Sequence, residues 1–318
     1  MNSFINSIGA TIGRIISSAL NNHIIYKIFN SVYENSPHFL VKSFVKYIEL
    51  PDKDNIWIIS LINKKKIVTN IYKDRPLTSQ FALSYKWHSP EINFTELILN
   101  QYFDKEIPWI DIGANLGLRS LLALSKKRKV FFIEPNKELN KLNEERCKQN
   151  NFDNYFFFEC GASDTVGEVD FFIDKTSYNS SIEPNVEADN IDRIEKIKTD
   201  TVDNLFKNHI HKFSTALIKI DVEGHELNVL KGSREFIKRL SPTIIIEVNQ
   251  KGSHFAEFKR IMRENEYTIY EIIHPDSKKY FKKLDIDFPF EDNRIKFNDF
   301  LVIKDKGLQS FIADYVIC

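Results

Sequence analysis

The chain has 318 residues, enough for one large α/β domain with an extension. Its 44 basic and 44 acidic residues cancel, which argues against an electrostatic hold on nucleic acid. Its three cysteines, Cys147, Cys160 and Cys318, lie too far apart for a disulfide framework or a structural zinc site, and no uninterrupted apolar run is long enough to span a bilayer.

Residues 1–90 are expected to form a helical and β-hairpin extension, and residues 91–318 the main α/β domain. Phe4, Ile8, Ile12, Ile15, Leu20 and Ile24 fall roughly on one helical face, with Arg14 the only charge before Lys27. Such a face suits packing on the domain or on a second copy of the chain, as a homo-oligomer. Peripheral contact with the inner face of a membrane is the weaker expectation, because the basic residues that strengthen it are missing. The missing export features make the cytoplasm the expected location. Ile56-Trp57-Ile58-Ile59-Ser60-Leu61 and Ile67-Val68-Thr69-Asn70-Ile71 read as two strands of a hairpin. Arg75, Trp87 and His88 belong to polar and aromatic segments that fit either a pocket rim or an ordinary surface loop, and they are substrate-binding candidates. Ser89-Pro90-Glu91 carries the cap residue and first-turn proline of a helix.

The densest signal follows. In Pro108-Trp109-Ile110-Asp111-Ile112-Gly113-Ala114-Asn115-Leu116-Gly117 an apolar run ends in Asp111, a glycine-bearing turn follows, and an apolar helical pattern resumes at Leu118, the order of the first unit of a nucleotide-binding α/β fold. Gly113 and Gly117 fit a tight turn or a close approach to a ligand; alone, they also fit an ordinary turn. Lys126-Lys127-Arg128-Lys129 is expected to be positive charge at a helix carboxyl end. The next strand, residues 129–133, ends at Glu134-Pro135-Asn136, where a carboxylate can accept both hydroxyls of a ribose. A helix over 138–150 and a strand over 155–160 deliver Cys160, Gly161, Ala162 and Ser163 to the same edge, as material for an adenine pocket. Cys160 reads as a small buried side chain, since no companion base accompanies it.

A strand over 169–173 precedes a polar stretch, residues 174–190, expected to be an active-site loop or a solvated one. Asn179 and Ser180 are its substrate-binding candidates. Ile218-Lys219-Ile220-Asp221-Val222-Glu223-Gly224-His225 concentrates ionisable groups where another strand gives way to a loop, and a dry core would penalise them unless paired. Glu247 and Asn249 end the strand that begins at Thr243 and are candidates for orienting an acceptor, or for closing the loop through backbone bonds. Strands over 268–273 and 300–303, with a surface insertion between them, and a short helix over 309–315 complete the chain.

Taken together, Asp111 through Gly117, Glu134-Pro135-Asn136, Thr201-Val202-Asp203, residues 218–224, Leu230-Lys231-Gly232 and residues 242–247 resemble the FkbM-type methyltransferases, a branch of the S-adenosylmethionine-dependent class. The resemblance implies a Rossmann-like, mostly parallel sheet of seven strands with helices on both faces and the last strand antiparallel. It gives the loop with Asp111, Gly113, Ala114, Asn115 and Gly117 to the methionine portion and sugar edge of S-adenosylmethionine, Glu134 and Pro135 to the ribose, and residues 160–163 to the adenine. The implied reaction is methyl transfer to a hydroxyl of a sugar, a glycan precursor or a carbohydrate-containing metabolite. Asp221 or Glu223 would orient that hydroxyl and take its proton, with Lys219 alongside and His225 as a conditional base. No metal ligand set is assigned; a divalent cation held by Asp221, Glu247 and Asn249 is the lesser alternative. A nicotinamide-dependent oxidoreductase and a non-catalytic nucleotide-binding or scaffold protein are the competing classes.

Overall fold

The computed structural model describes residues 55–60, 66–71, 90–175, 180–183, 188–248, 252–273, 279–285 and 299–317. The chain divides into two units, Met1–Pro90 and Glu91–Cys318. In the first, β1 (Asn55–Ser60) and β2 (Lys66–Ile71) pair antiparallel, from Asn55 opposite Ile71 to Ser60 opposite Lys66. The helices expected over residues 1–50, the interface and membrane roles given to them, and Arg75, Trp87 and His88 all lie outside the described residues.

In the second unit α1 (Pro90–Tyr102), β3 (Trp109–Ile112), α2 (Leu118–Ser125), β4 (Val130–Ile133), α3 (Lys137–Gln149) and β5 (Tyr155–Phe158) alternate along the chain. Three strands follow, β6 (Gly161–Ala162), β7 (Gly167–Asp174) and β8 (Ile191–Asp200), then α4 (Val202–Phe206), β9 (Leu217–Ile220), α5 (Glu226–Lys231), α6 (Arg234–Leu240), β10 (Thr243–Glu247) and α7 (Gly252–Glu264). The remainder comprises β11 (Thr268–Ile272), β12 (Phe281–Lys283), β13 (Asp299–Ile303), α8 (Lys306–Phe311) and β14 (Val316–Ile317).

The main sheet has the order β14-β12-β11-β13-β10-β9-β3-β4-β5. Strands β5, β4, β3, β9 and β10 run parallel, and β13 lies antiparallel between β10 and β11. Among the described residues the sheet is therefore mixed and nine-stranded, where the sequence led to an expectation of seven. The two additions lie beyond β11. Phe281 of β12, inside the stretch read as a surface insertion, is fully buried and pairs with Ile272, and β14 continues that edge.

Strands β3, β4 and β9 are buried at every position, which explains why they are apolar apart from Asp111 in β3 and Lys219 in β9. Alternation sends Ile110, Ile112, Phe131, Ile133, Ile218 and Ile220 into a core with Phe236 of α6 and Phe258 of α7. Trp109, Val130, Phe132 and Leu217 enter a second core with Ile98 and Leu99 of α1 and Leu124 of α2. Asp111 and Lys219 carry the phase of that second face and stand opposite one another in register.

In the basic run that follows the end of α2, Arg128 is buried, and its guanidinium donates to the carbonyls of Phe103, Asp104 and Ile107, which follow the end of α1. Burial lowers it to about 10. Residues 191–200, not assigned to a strand from the sequence, form β8, which pairs antiparallel with β7, and among the described residues β6 joins β8 in a separate three-stranded sheet. Among the described residues no helix is long and apolar enough to cross a membrane.

Candidate active site

The parallel strands β3, β4 and β9 end at one edge, and the candidate residues gather there. The turn after β3 opens at Gly113, whose φ of 76° lies in the left-handed region. A Cβ at this position would stand 1.8 Å from the Asp221 carbonyl oxygen, so the glycine lets the tips of β3 and β9 touch. The Gly113 and Ala114 amides both donate to the Ile133 carbonyl of β4. Asn115, at φ 47°, and Gly117, at φ 68°, complete the turn, and Gly117 is the residue preceding α2.

Helix α3 clamps this turn from the outside. Asn143 Nδ2 donates to the Asn115 carbonyl at 2.7 Å, and Arg146 donates to the Leu116 carbonyl at 2.7 Å and to Asn143 Oδ1 at 3.0 Å. Asn140 donates to the Glu134 carbonyl. None of these three residues was singled out from the sequence. The available signal was their helical spacing: they share the buried face of α3 with Leu139, Leu142 and Cys147.

Glu134 sits between the turn and α3. Its Oε2 accepts from the Asn115 amide at 2.8 Å and its Oε1 from the Asn136 amide at 2.9 Å; Pro135 makes the intervening bend. Burial pushes its carboxyl up to about 7, against the opposing pull of those two amides, and Asp111 adds to the rise. A carboxylate has about four acceptor positions. Two are in use, so the group keeps acceptor capacity for two hydroxyls.

The neighbouring wall is β6 with its flanks. Cys160, Ala162 and Ser163 are buried, and burial raises the Cys160 thiol to about 12, with Asp200 contributing, which removes it as a nucleophile near neutral pH. Gly161 packs so closely on Ile182 that a Cβ would come within 2.9 Å of the Ile182 side chain.

At β9 the structure brings Asp111, Lys219 and Asp221 together. Lys219 Nζ lies 2.6 Å from Asp221 Oδ2, and burial's downward pull on the ammonium is outweighed by Asp221 and Asp111, which raise it. Asp111 is 1% exposed and accepts from Ser120 Oγ at 2.7 Å; burial raises its carboxyl although Lys219 opposes this. Asp111 thus fixes the first turn of α2 from beneath. Glu96 of α1, 3.4 Å from Arg119, extends the group and is pushed up to about 7 by burial.

Glu223, in the turn after β9, has a φ of 53°, unusual for a side chain other than glycine. Its carboxyl is raised to about 7 by burial, then by Asp221 and Glu226. Glu247, at the end of β10, is raised to about 8 by burial, then by Asp221, Asp299 and Glu223. His225 is buried with both ring nitrogens engaged: Nδ1 with Glu183 Oε1 at 2.7 Å and Nε2 with Ser163 Oγ at 3.0 Å. Ser180 Oγ accepts from the Asp174 amide and belongs to the β7 hairpin. Asn179 and Asn249 lie outside the described residues. Among the described residues no group of three or more histidines, cysteines, aspartates and glutamates is arranged to hold a metal ion.

A mixed sheet with a glycine turn, a buried acidic strand tip beside it and a polar loop after the next parallel strand defines a ligand-binding α/β domain. The model of the Methyltransferase FkbM domain family matches residues 111–269, and the chain belongs to that family. It is similar to the hexuronic acid methyltransferase AglP of Haloferax volcanii, 27% identical over 161 residues that cover 50% of this chain and 62% of the relative. The crystal structure of methyltransferase FkbM from Methylobacillus flagellatus KT resembles it with a TM-score of 0.42 and 18% identity, over 71% of this chain and 54% of that one. The SAM-dependent methyltransferase from Agrobacterium tumefaciens gives a TM-score of 0.42 and 11% identity, over 80% and 70% of the two chains. The chain therefore spans less than two thirds of the first two relatives.

Proposed function

We propose that this chain transfers a methyl group from S-adenosylmethionine to a hydroxyl of a sugar or a carbohydrate-containing molecule. The observation that carries the reading is Glu134: a buried carboxyl at a strand tip, fixed by two backbone amides, with acceptor capacity left beside a left-handed glycine turn. These residues fit the donor. Glu134 would accept the ribose hydroxyls, residues 113–117 would lie along its sugar edge and methionine portion, and Cys160, Gly161, Ala162 and Ser163 would wall the adenine. When bound, S-adenosylmethionine supplies a methyl group already activated on a sulfonium.

The chain's remaining task is to align the acceptor oxygen and exclude water. Asp221 and Glu223 serve as the acceptor-side carboxylates. Glu223, raised to about 7, suits a group that receives a hydroxyl proton near neutral pH. Lys219, ion-paired at 2.6 Å, holds the Asp221 carboxyl in place. His225 is poorly suited to act directly, because both nitrogens are occupied inside the fold. The carbohydrate class draws support from the hexuronic acid methyltransferase among the relatives.

Titration of the full chain with S-adenosylmethionine, S-adenosylhomocysteine and NAD in a calorimeter tests the donor. Binding of the two sulfur ligands, weakened by Glu134→Gln, supports the reading and leads to a screen of methyl glycosides for S-adenosylhomocysteine release. Binding of NAD alone would overturn it.

A further inference from the structure

The turn that carries Glu223 is held from outside by a segment distant in sequence. Residues 180–183 fold back on β7, where Ser181 and Phe172 exchange backbone hydrogen bonds of 3.0 and 2.9 Å, and Ile182 packs against Phe171, Ile173 and Ile197. From that anchored segment two side chains reach the 221–225 turn. Ser181 Oγ, itself buried, donates to the Glu223 carbonyl at 2.8 Å, and Glu183 Oε1 meets His225 Nδ1 at 2.7 Å. The Glu183 amide donates to Ser181 Oγ at 3.0 Å, so the two attachments reinforce each other. On its far side the His225 ring contacts Ser163 Oγ at 3.0 Å, which ties the same turn to the end of β6.

This arrangement meets a specific need. Glu223 occupies the left-handed region at φ 53°, which is strained for a residue with a Cβ and persists only where the surroundings impose it. Within the turn, Glu226 Oε1 accepts from the Gly224 amide at 2.9 Å and so holds the following residue. The carbonyl of Glu223 itself is held by Ser181. In a neutral imidazole, a carboxylate at Nδ1 keeps the proton there and leaves Nε2 as an acceptor facing the Ser163 hydroxyl, which also has Asp164 Oδ1 at 3.3 Å, so Glu183 sets both the tautomer and the orientation of the ring. Without Glu183, a buried ring 5% exposed loses the partner that sets both.

We propose that Glu183, acting through His225 and together with Ser181, is a positioning residue that clasps the 221–225 turn and so aims the Glu223 carboxyl at the acceptor. Its catalytic meaning rests on the methyltransferase reading above; the clasp itself does not. Glu183 is 42% exposed on its side chain and His225 6%, so the acid can be changed with little disturbance of the core.

The test compares the full chain with Glu183→Gln and Glu183→Ala by three measurements. These are amide hydrogen exchange of the peptide covering residues 221–226, S-adenosylhomocysteine affinity by calorimetry, and initial rates of S-adenosylhomocysteine formation from S-adenosylmethionine with a panel of methyl glycosides. In Glu183→Ala, exchange in the peptide should quicken and kcat should fall about ten-fold, while KM for S-adenosylmethionine and S-adenosylhomocysteine affinity stay within about two-fold. Glu183→Gln, whose carbonyl still accepts from Nδ1, should recover most of both losses. Unchanged exchange in Glu183→Ala overturns the clasp, and so does a loss of S-adenosylhomocysteine affinity that equals the loss of rate. Faster exchange in a chain whose unsubstituted form binds no S-adenosylhomocysteine keeps the clasp and overturns the methyltransferase reading instead.

Discussion

Glu134 shows how one residue's environment decides its chemistry. Its carboxyl is raised to about 7 by burial, yet ribose hydroxyls donate best to the ionised form. Donor binding should therefore expel a proton, and affinity for S-adenosylhomocysteine should fall as pH drops through about 7. Glu134→Gln removes the titration and sets an amide NH2 against one of the two backbone donors. Its affinity should be about ten- to hundred-fold weaker and flat with pH, as read by calorimetry across that range. Gly113 makes a second residue-scale prediction. Gly113→Ala puts a methyl 1.8 Å from the Asp221 carbonyl at a φ of 76°, so urea unfolding should show a loss of about 3 kcal/mol or an insoluble chain. The position of Glu134 at a strand tip was legible in the sequence, because an apolar run ending in an acid is a local pattern. Its two amide donors were not, since Asn115 lies on a different turn.

Among the elements, α3 was recognised as a helix but not as the clamp of the glycine turn. A helix whose buried face carries Asn140, Asn143 and Arg146 beside two leucines is holding polar backbone, because buried amides must find partners. Asn143→Ala removes both the donor to the Asn115 carbonyl and the acceptor of Arg146. It should cost about 1–2 kcal/mol in urea unfolding and quicken amide exchange across residues 113–117, while β10 and β13 are unaffected. β8 was missed for the opposite reason. Residues 191–198 are charged and mostly exposed, so no apolar run announces them; pairing with β7 along its whole length makes them a strand. β12 was hidden in the same way, by its short length inside a charged stretch.

For the whole molecule, the raised carboxyls set the direction of a pH effect. Glu96, Glu134 and Glu223 at about 7 and Glu247 at about 8 all lie above the ordinary glutamate value of 4.5. The folded state binds their protons more tightly than the unfolded chain does. Their contribution is fully present below about 4.5 and is lost as pH rises through 7 to 8. The urea midpoint should accordingly be lower at about pH 8 than at about pH 6, and Glu96→Gln should narrow that difference. An unchanged difference in Glu96→Gln would remove Glu96 from the set.

The sequence by itself determined the alternation of strands and helices from residue 90 onward, the glycine turn, the acidic tip and the family that they spell out. These are short-range patterns, written within one strand and the turn that follows it. Only the tertiary structure decided what the patterned residues touch. Asp111 turned out to serve Ser120 and Lys219 inside the fold, Gly113 to admit the Asp221 carbonyl, and His225 to join Glu183 and Ser163, residues 42 and 62 positions away. Such partners are set by the order of strands across the sheet. Burial then raises the value of every polar contact, because an unpaired group in the interior loses its water without compensation.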